Sequence, residues 1–353
     1  MTKKYFCLLF TIFTVLCSSY GQWENPSEKY ARSYKAYENV PNKIPQSEVK
    51  NFVYFARDRK ILRNHPFLKN PRFAGAQIMY TWKELEPEKD IYDFSPIEED
   101  LAYLEGYGKK LFIQIQDTTF YNRYKAIPNY LLNKKYDNGI TGQYDDNGLQ
   151  EGWVAKRWNP KVRQRFAKLL LALGKALDGR IEGVNLQETS IGVSQESDPS
   201  FSTTAYVEAI KANMLALKRA FPLSTTIQYA NFMPGEWLPW EDEGYLRSIY
   251  AFGEAHGIGL GAPDLMPTRK GQQNHVITMM HEHEYSVPLS IAVQDGNYLG
   301  ETGTYSVTKE IINTHKNIVP MLEAFARDFL GVNYIFWSNE EPYFTKDVLP
   351  CFN

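Results

Sequence analysis

Short apolar runs alternate along the chain with longer stretches in which apolar residues recur with a helical period. A short run is typical of a buried strand, and the longer repeat is typical of an amphipathic helix. The short runs predict strands at residues 51–56, 74–81, 110–116, 181–187, 225–230, 258–261, 288–293 and 333–337. The helical repeat predicts helices at residues 96–107, 160–177, 203–220, 244–256 and 307–330.

Strands that are joined by helices pair in parallel, so this order favours a single (β/α)8 TIM barrel over residues 50–353. A doubly wound open sheet is the alternative architecture, and it commonly carries a glycine-rich phosphate turn after its first strand. No such turn follows residues 51–56. The glycine-rich segment at residues 257–261 comes late and leads into Ala-Pro-Asp rather than into a helix.

The N-terminus has the pattern of an export signal. Lysines at positions 3 and 4 precede an apolar run at residues 5–17, and small and polar residues follow. The run is shorter than the roughly 20 residues that a membrane span needs, and the order is typical of a secretory signal peptide. We predict a signal peptide at residues 1–21, an extended arm at residues 22–49, and export to the periplasm or the extracellular space.

Composition narrows the classes of partner. Lysine and arginine number 39 and acidic residues number 41, so the net charge of -2 gives no support for a nucleic-acid or anionic membrane partner.

Cys7 and Cys17 would leave with the signal peptide, which leaves Cys351 and no internal disulfide. A lipoprotein anchored through Cys17 is the alternative, although Thr-Val-Leu before it lacks the expected small residue. Aromatic residues make up 14% of the chain, which suggests rings lining a carbohydrate cleft.

The chemistry of such a barrel lies at the carboxyl ends of its strands. Polar and aromatic residues occupy these positions: Tyr80, Trp82, Gln116, Gln187, Glu188, Asn231, Asp264, Gln294, Asp295, Tyr298, Trp337 and Glu340. About half of a set of aromatic residues is expected to stack on sugar faces: Tyr80, Tyr121, Trp153, Trp158, Trp237, Trp240, Tyr298 and Trp337. We expect the loops at residues 117–158 and 231–243 to set specificity.

Three segments resemble clan A glycoside hydrolases. Trp82-Lys83-Glu84-Leu85-Glu86-Pro87, followed by Tyr92-Asp93-Phe94, looks like the W-x-x-L-E-P-x-x-G-x-Y-D-F sequence after the second strand, with Asp90 at the usual glycine position. Asn185-Leu186-Gln187-Glu188 is similar to the end of the clan's fourth strand, where an Asn-Glu pair supplies the acid/base carboxylate. Ile335-Phe336-Trp337 resembles the eighth-strand aromatic beneath the sugar. The resemblance implies that Glu188 is the acid/base and that Trp337 forms the floor.

Two positions depart from the clan's pattern. Gln187 stands before Glu188 where the clan has Asn. The seventh strand reads Ser-Ile-Ala-Val and then Gln294-Asp295-Gly296, without the nucleophilic Glu. Either Asp295 takes the carboxylate role one position along, helped by a turn at Gly296, or the site cannot form a glycosyl-enzyme.

Glycoside cleavage needs a protonated carboxyl group for the leaving oxygen and an ionised one that attacks C1 or activates water. Glu188 fits the first role, although it could instead cap a loop or pair with an arginine. For the second role we rank Asp295 first, Asp264 second and Glu340 third. Asp264 would suggest inversion through a bound water, whereas retention requires carboxyl groups about 5 Å apart, so the stereochemical outcome stays open.

Other chemistries have weaker signals. His281-Glu282-His283-Glu284 does not match a helical zinc site, because its histidines fall on opposite helix faces. We predict no metal and no cofactor. Neither a Gly-x-Ser-x-Gly elbow nor a phosphate loop is visible. A polysaccharide lyase would need a Lys, Tyr or His base beside an acidic sugar, and no such cluster stands out.

The sequence therefore predicts a secreted glycoside hydrolase that acts on a polysaccharide or oligosaccharide with a pair of carboxylates. Its predicted substrate-binding residues are Tyr80, Trp82, Gln116, Gln187, Asn231, Gln294, Tyr298 and Trp337. The alternative is a carbohydrate-binding barrel that has lost its nucleophile, as Gln294 would suggest.

Overall fold

The computed structural model describes residues 26–237, 241–300 and 316–353. The predicted signal peptide, the start of the arm, Trp240 and residues 307–315 of the last predicted helix lie outside these ranges.

Eight parallel strands close into a barrel in chain order. They are β1 (Lys50–Tyr54), β2 (Phe73–Thr81), β3 (Lys110–Gln116), β4 (Gly183–Leu186), β5 (Thr225–Tyr229), β6 (Gly259–Ala262), β7 (Leu289–Val293) and β8 (Tyr334–Ser338). The first and last strands pair in register, with Lys50 opposite Tyr334. The predicted TIM barrel and all eight of its strands are confirmed.

Successive strand residues point alternately into the lumen and outward toward the helices. Aromatic rings fill the lumen: Phe52, Tyr54, Phe112, Tyr229, Tyr334 and Phe336 form one cluster. Gln77 extends across the lumen, where its Nε2 donates to Asn185 Oδ1 at 2.9 Å and to the Tyr229 hydroxyl at 3.2 Å. The larger apolar core lies between the strands and the surrounding helices.

Helices cover the outside of the barrel. The longer ones are Ser95–Glu105, Pro160–Leu177, Thr203–Ala220 and Tyr245–His256. Lys270–Gln272, a π-helical turn at Gln273–Ile277 and Thr278–His281 form one helical segment between β6 and β7, and Val319–Ala324 with the π-helical Phe325–Phe329 precedes β8. Shorter turns lie at Pro26–Lys29, Ser33–Tyr37, Arg59–Leu62, Pro66–Lys69, Trp82–Leu85, Asn129–Leu131, Lys134–Tyr136, Asn297–Leu299, Phe344–Val348 and Leu349–Cys351.

Side-chain caps explain why two of these helices begin where the sequence predicts. Asn159 Oδ1 accepts from the N–H groups of Lys161 and Val162, and Ser202 Oγ accepts from the N–H of Ala205. Both caps satisfy N–H groups that have no partner inside the helix.

A small antiparallel sheet follows β3 where the sequence suggested only a loop. Its strands are Thr118–Thr119, Ile140–Tyr144 and Gln150–Ala155, with Gln150–Ala155 in the centre. This sheet gives the long insertion between β3 and β4 its own backbone hydrogen bonds.

The segment that most resembles clan A sequences forms a buried structural network. Trp82 Nε1 donates to Glu86 Oε2 at 2.8 Å, and Arg165 from helix Pro160–Leu177 pairs with Glu86 and Asp90. Asp90 has a φ of +63°, a left-handed conformation that favours glycine, which is the residue the clan has there. The segment therefore fixes β2 to a neighbouring helix.

Candidate active site

Glu188 lies half-buried just beyond β4, at the carboxyl end of the barrel. The preceding Gln187 is buried, and its Oε1 accepts from the backbone N–H groups of Asp117 and Thr118 at 2.9 and 2.8 Å. Gln187 thus joins the ends of β4 and β3 through its carbonyl oxygen, and substrate binding by its amide group stays a prediction.

Asn231 follows β5 and holds the Glu188 carboxyl group. Its Nδ2 donates to Glu188 Oε2 at 2.7 Å, and only 3% of Asn231 is exposed. Asn231 Oδ1 is buried and has no partner in the described part of the chain. An amide has both a donor and an acceptor, so a half-turn of the same side chain would let it accept from a protonated Glu188.

The pKa of Glu188 is raised to about 8, chiefly by burial and further by the negative charge of Asp264. The Asn231 hydrogen bond and the positive charge of Arg157 act in the opposite direction. Glu188 is therefore protonated at pH 7, the state in which a carboxyl group can donate a proton to a leaving oxygen.

A buried arginine fixes the backbone of Glu188. Arg157 makes a bidentate ion pair with Asp117, at 2.8 Å from Nε and 2.6 Å from Nη2. Its Nη1 donates to the Glu188 carbonyl oxygen and to the Tyr206 hydroxyl, both at 2.9 Å. The sequence analysis missed Arg157, because an arginine inside a long loop carries no signal of which distant carbonyl it will bind.

Asp264, at the end of β6, is the carboxylate whose charge raises the pKa of Glu188 most, and Glu151 adds to the rise. Its φ of +63° lies in the left-handed region, a conformation uncommon outside glycine. Asn297 Nδ2 donates to Asp264 Oδ1 at 3.0 Å, while Asn297 Oδ1 accepts from the Gln294 N–H. Burial raises the pKa of Asp264 and the charge of Asp295 adds to the rise, whereas Asn297 and Arg269 favour the ionised form.

Asp295 is exposed and lies on the β8 side of the site. Its Oδ1 accepts from Ser338 Oγ at 2.5 Å. The turn expected at Gly296 is present, with a φ of +86°, and the Gly296 N–H donates to Glu340 Oε2 at 2.9 Å. Burial raises the pKa of Glu340, and the charge of Asp295 contributes. Asp264, Asp295 and Glu340 thus form an acidic side of the site at β6 to β8.

Tyr54, the last residue of β1, lies inside the barrel beneath these carboxylates and is 8% exposed. Burial raises its pKa most, and Tyr229 and the negative charges of Asp295 and Glu188 raise it further. Its phenol therefore lies within electrostatic reach of both sides of the site. The sequence analysis did not select Tyr54, although alternation within the first predicted strand places it on the same face as Phe52.

Trp337 does not form the floor of the site, and that prediction is wrong. Its Nε1 donates to Asn51 Oδ1 at 2.8 Å, its ring lies 5.7 Å from that of Phe352, and it is fully buried. Phe336, one position earlier, belongs to the lumen cluster. Because neighbouring strand residues face opposite ways, Trp337 packs in the layer between barrel and helices.

Three other predicted substrate-binding aromatics are also fully buried. The Tyr80 hydroxyl donates to Asp100 Oδ2, Trp82 binds Glu86, and the Tyr298 hydroxyl donates to the Ser338 carbonyl. These side chains have structural partners and cannot reach a sugar in this structure. The predicted amides Gln116 and Gln294 do lie at the carboxyl ends of β3 and β7; Gln116 accepts from the Tyr124 hydroxyl, and Gln294 is half-buried.

Exposed rings lie on the loops instead of the strand ends. Phe120, Tyr121 and Tyr144 belong to the small sheet and its loops, and Trp237 follows β5 with 40% exposure. Trp237 stacks on Phe232, the residue after Asn231, with 6.2 Å between ring centroids. The two loops expected to set specificity therefore carry exposed rings.

The His281-Glu282-His283-Glu284 segment contacts the N-terminal arm. Glu282 Oε1 accepts from Lys29 Nζ and from the Tyr30 hydroxyl, both at 2.6 Å, and His281 stacks on Phe329 at 3.7 Å. In the described residues, no group of three or more metal-ligating side chains is placed to hold an ion. Within the same residues, no helix combines the length and apolar character that crossing a membrane requires.

No family model matches this sequence, and no curated protein matches it. Solved structures do match it. Endo-glycoceramidase II from Rhodococcus sp. with a five-membered iminocyclitol is 11% identical over 85% of this chain and 76% of that chain, with a TM-score of 0.51. A GH5_18 protein from Bifidobacterium longum in complex with Manβ1-4GlcNAc is 9% identical over 82% and 68%, with a TM-score of 0.51.

A family 39 glycoside hydrolase from Bacteroides cellulosilyticus is 13% identical over 84% of this chain and 58% of that chain, with a TM-score of 0.50. This chain has the (β/α)8 fold of these glycoside hydrolases. At these identities the likeness shows the fold alone.

Proposed function

We propose that this protein is a glycoside hydrolase that cleaves a polysaccharide or oligosaccharide, and that it is exported through a signal peptide at residues 1–21. The observation that carries the proposal is that Glu188 and Asp264 lie at the carboxyl ends of β4 and β6, where the charge of Asp264 acts on Glu188. Glu188 has a pKa raised to about 8 by burial and by the charge of Asp264. A protonated carboxyl group beside a carboxylate is the arrangement that glycoside cleavage requires.

In this proposal Glu188 protonates the glycosidic oxygen while charge develops on the sugar ring. Asp264 supplies the second carboxylate, because both groups must act on one sugar and Asp264 is the carboxylate that most affects Glu188. This reverses the order suggested by the sequence, in which Asp295 came first. Asp295, held by Ser338, then contributes negative charge on the outer side of the site.

The test is a screen of polysaccharides and aryl glycosides with the wild type, Glu188→Gln and a control, Glu208→Gln, on an outer helix. We expect Glu188→Gln to lose about 10³-fold or more on natural linkages and much less on aryl glycosides with activated leaving groups, because these need no proton. Glu208→Gln should match the wild type. Equal losses on both substrate types would contradict the role of Glu188.

One observation favours a second function, a carbohydrate-binding barrel without turnover. Gln294 occupies the end of β7, where the resemblance implies a nucleophilic carboxylate, and an amide cannot serve as one. If the wild type binds a glycan in the screen but releases no product, this second function replaces the first.

A further inference from the structure

Three cations lie over aromatic rings beside the site. The Arg57 guanidinium lies 4.0 Å from the centre of the Tyr124 ring, that of Arg123 lies 5.6 Å from Tyr121, and Lys125 Nζ lies 4.2 Å from Trp153. We call this surface the basic aromatic face; its members are Arg57, Tyr121, Arg123, Tyr124, Lys125 and Trp153.

The basic aromatic face adjoins the carboxyl ends of β1 and β3. The Tyr124 hydroxyl donates to Gln116 Oε1, and Gln116 is the last residue of β3. Arg57 follows Ala56, whose φ of +46° turns the chain just after Tyr54, and the Ala56 carbonyl is fixed by the Met79 N–H at 2.8 Å. The positive charge of Arg57 acts on Tyr54, as do the charges of Glu188 and Asp295. The face therefore borders the proposed catalytic residues.

The charges of these three cations are not neutralised by ion pairs. In the described part of the chain, none of the three has a carboxylate oxygen within 4.0 Å. Neighbouring cations do have such partners: Arg59 pairs with Asp100, and Arg157 pairs with Asp117. The charge of Glu84 acts on Tyr124, and Glu151 lies two residues before Trp153 on the same strand of the small sheet. A site that bound only neutral sugar would need the rings but not three unpaired positive charges.

Stacking leaves the cations able to bind an anion. A guanidinium placed over a ring still carries N–H donors at its edge, and these can bind a carboxylate or a sulfate through two hydrogen bonds. Tyr121 is 50% exposed, so its ring can also contact the C–H face of a sugar. Rings and donors together suit a sugar that carries a negative charge.

We propose that the basic aromatic face binds an anionic sugar unit, a uronate or a sulfated residue, of the glycan substrate. This inference rests on the proposed function and specifies its substrate class. Asp264, Asp295 and Glu340 lie toward β6 to β8, so repulsion directs the anionic group to the β1 and β3 side. The anionic unit then binds beside the bond that is cleaved.

Affinity electrophoresis of the full chain tests the proposal with two matched pairs of polymers. Polygalacturonate is compared with its carboxyl-reduced form, and dextran sulfate is compared with dextran. The variants are Arg57→Gln and the double variant Arg123→Gln with Lys125→Gln. The control is Arg219→Gln, an exposed arginine near the end of an outer helix, which removes the same charge far from the site.

We expect retention at least tenfold stronger on one charged polymer than on its neutral partner, which identifies the group as uronate or sulfate. Both face variants should lose that preference, and Arg219→Gln should keep it. The proposal is overturned by any of three results. These are equal retention on charged and neutral polymers, no retention on either charged polymer, and the same loss of preference in Arg219→Gln. Charge-dependent retention without any cleavage would support the anionic-sugar site and contradict the proposed hydrolysis. Cleavage of neutral glycans without a charge preference would support the hydrolysis and contradict the anionic-sugar site.

Discussion

The Asn231 amide donates a hydrogen bond to Glu188 Oε2 at 2.7 Å and so favours the ionised form of the group that should act as the acid. Asn231→Leu removes that donor. We expect the pKa of Glu188 to rise and the alkaline limb of the kcat profile to move up by as much as about one pH unit. A kcat profile measured against pH in both proteins checks this. An unchanged limb would mean that Asn231 does not set the pKa of Glu188.

Glu188 should also make stability depend on pH. An unperturbed glutamate side chain has a pKa of 4.5 and Glu188 in the folded protein has one of about 8, so the folded chain binds more protons than the unfolded chain between these values. The contribution of Glu188 to the free energy of unfolding is fully present below pH 4.5 and is lost as the pH rises through 8. The loss is at most about 1.4 kcal/mol per pH unit. Glu188→Gln should therefore gain stability relative to wild type at pH 9 but not at pH 4, as urea unfolding would show.

The two candidates for the second carboxylate can be separated by their effects on Glu188. Asp264→Asn should lower the pKa of Glu188, move the alkaline limb down and abolish most hydrolysis, because the charge of Asp264 helps to raise that pKa. Asp295→Asn should leave the limb in place. Azide added to each variant tests whether the lost carboxylate acts in the displacement at C1, since azide attacks C1 without a base, and the anomeric configuration of the wild-type product then separates a nucleophile from a base. If Asp295→Asn alone is inactive, the assignment moves to β7.

Trp337→Ala should destabilise the fold rather than weaken sugar binding. The ring is fully buried against Phe352 and its N–H binds Asn51, so truncation leaves a cavity and an unpaired amide. We expect a loss of about 3 to 5 kcal/mol in the free energy of unfolding. At a temperature where the variant stays folded, glycan affinity should equal that of the wild type. A selective loss of affinity would restore Trp337 to the site.

Tyr54→Phe tests a residue that the sequence did not indicate. The charges of Asp295 and Glu188 act on the phenol, and a phenol can donate a hydrogen bond to an ionised carboxylate or to a sugar hydroxyl. We expect kcat to fall about ten- to a hundredfold with little change in melting temperature, since a single hydrogen bond to a charged group is worth roughly 1.5 to 3 kcal/mol. Full activity in the variant would make Tyr54 only a packing residue.

The strands were predictable because a barrel strand is buried on both sides and reads as a near-continuous apolar run, as in Leu289–Val293. The same property hides which side each residue faces. Phe336 and Trp337 are adjacent aromatics in one such run, yet the first fills the lumen and the second packs under the helices. For this reason the barrel and Glu188 could be selected from the sequence, while Trp337 was assigned to the wrong face.

Long-range partners account for what the sequence analysis missed. Arg157 binds the carbonyl of Glu188, 31 positions away, and Ser338 binds Asp295, 43 positions away. Neither contact leaves a periodic trace in the sequence, because each depends on how separate strand ends meet around the barrel. Strand residues two positions apart share a face, so Tyr54 could have been placed on the same face as Phe52 from the sequence alone.

The pairing of β1 with β8 has a consequence for the order of folding. Lys50 lies opposite Tyr334 in the closed barrel, so this seam joins the most distant strands in the chain. Loop-closure entropy makes such contacts slow to form, and during synthesis the seam must wait for the last strand. Until then β1 and β7 each present an unpaired edge. A nascent chain that stops before β8 is therefore a species prone to aggregate, and completion of the final strand removes both exposed edges in one step.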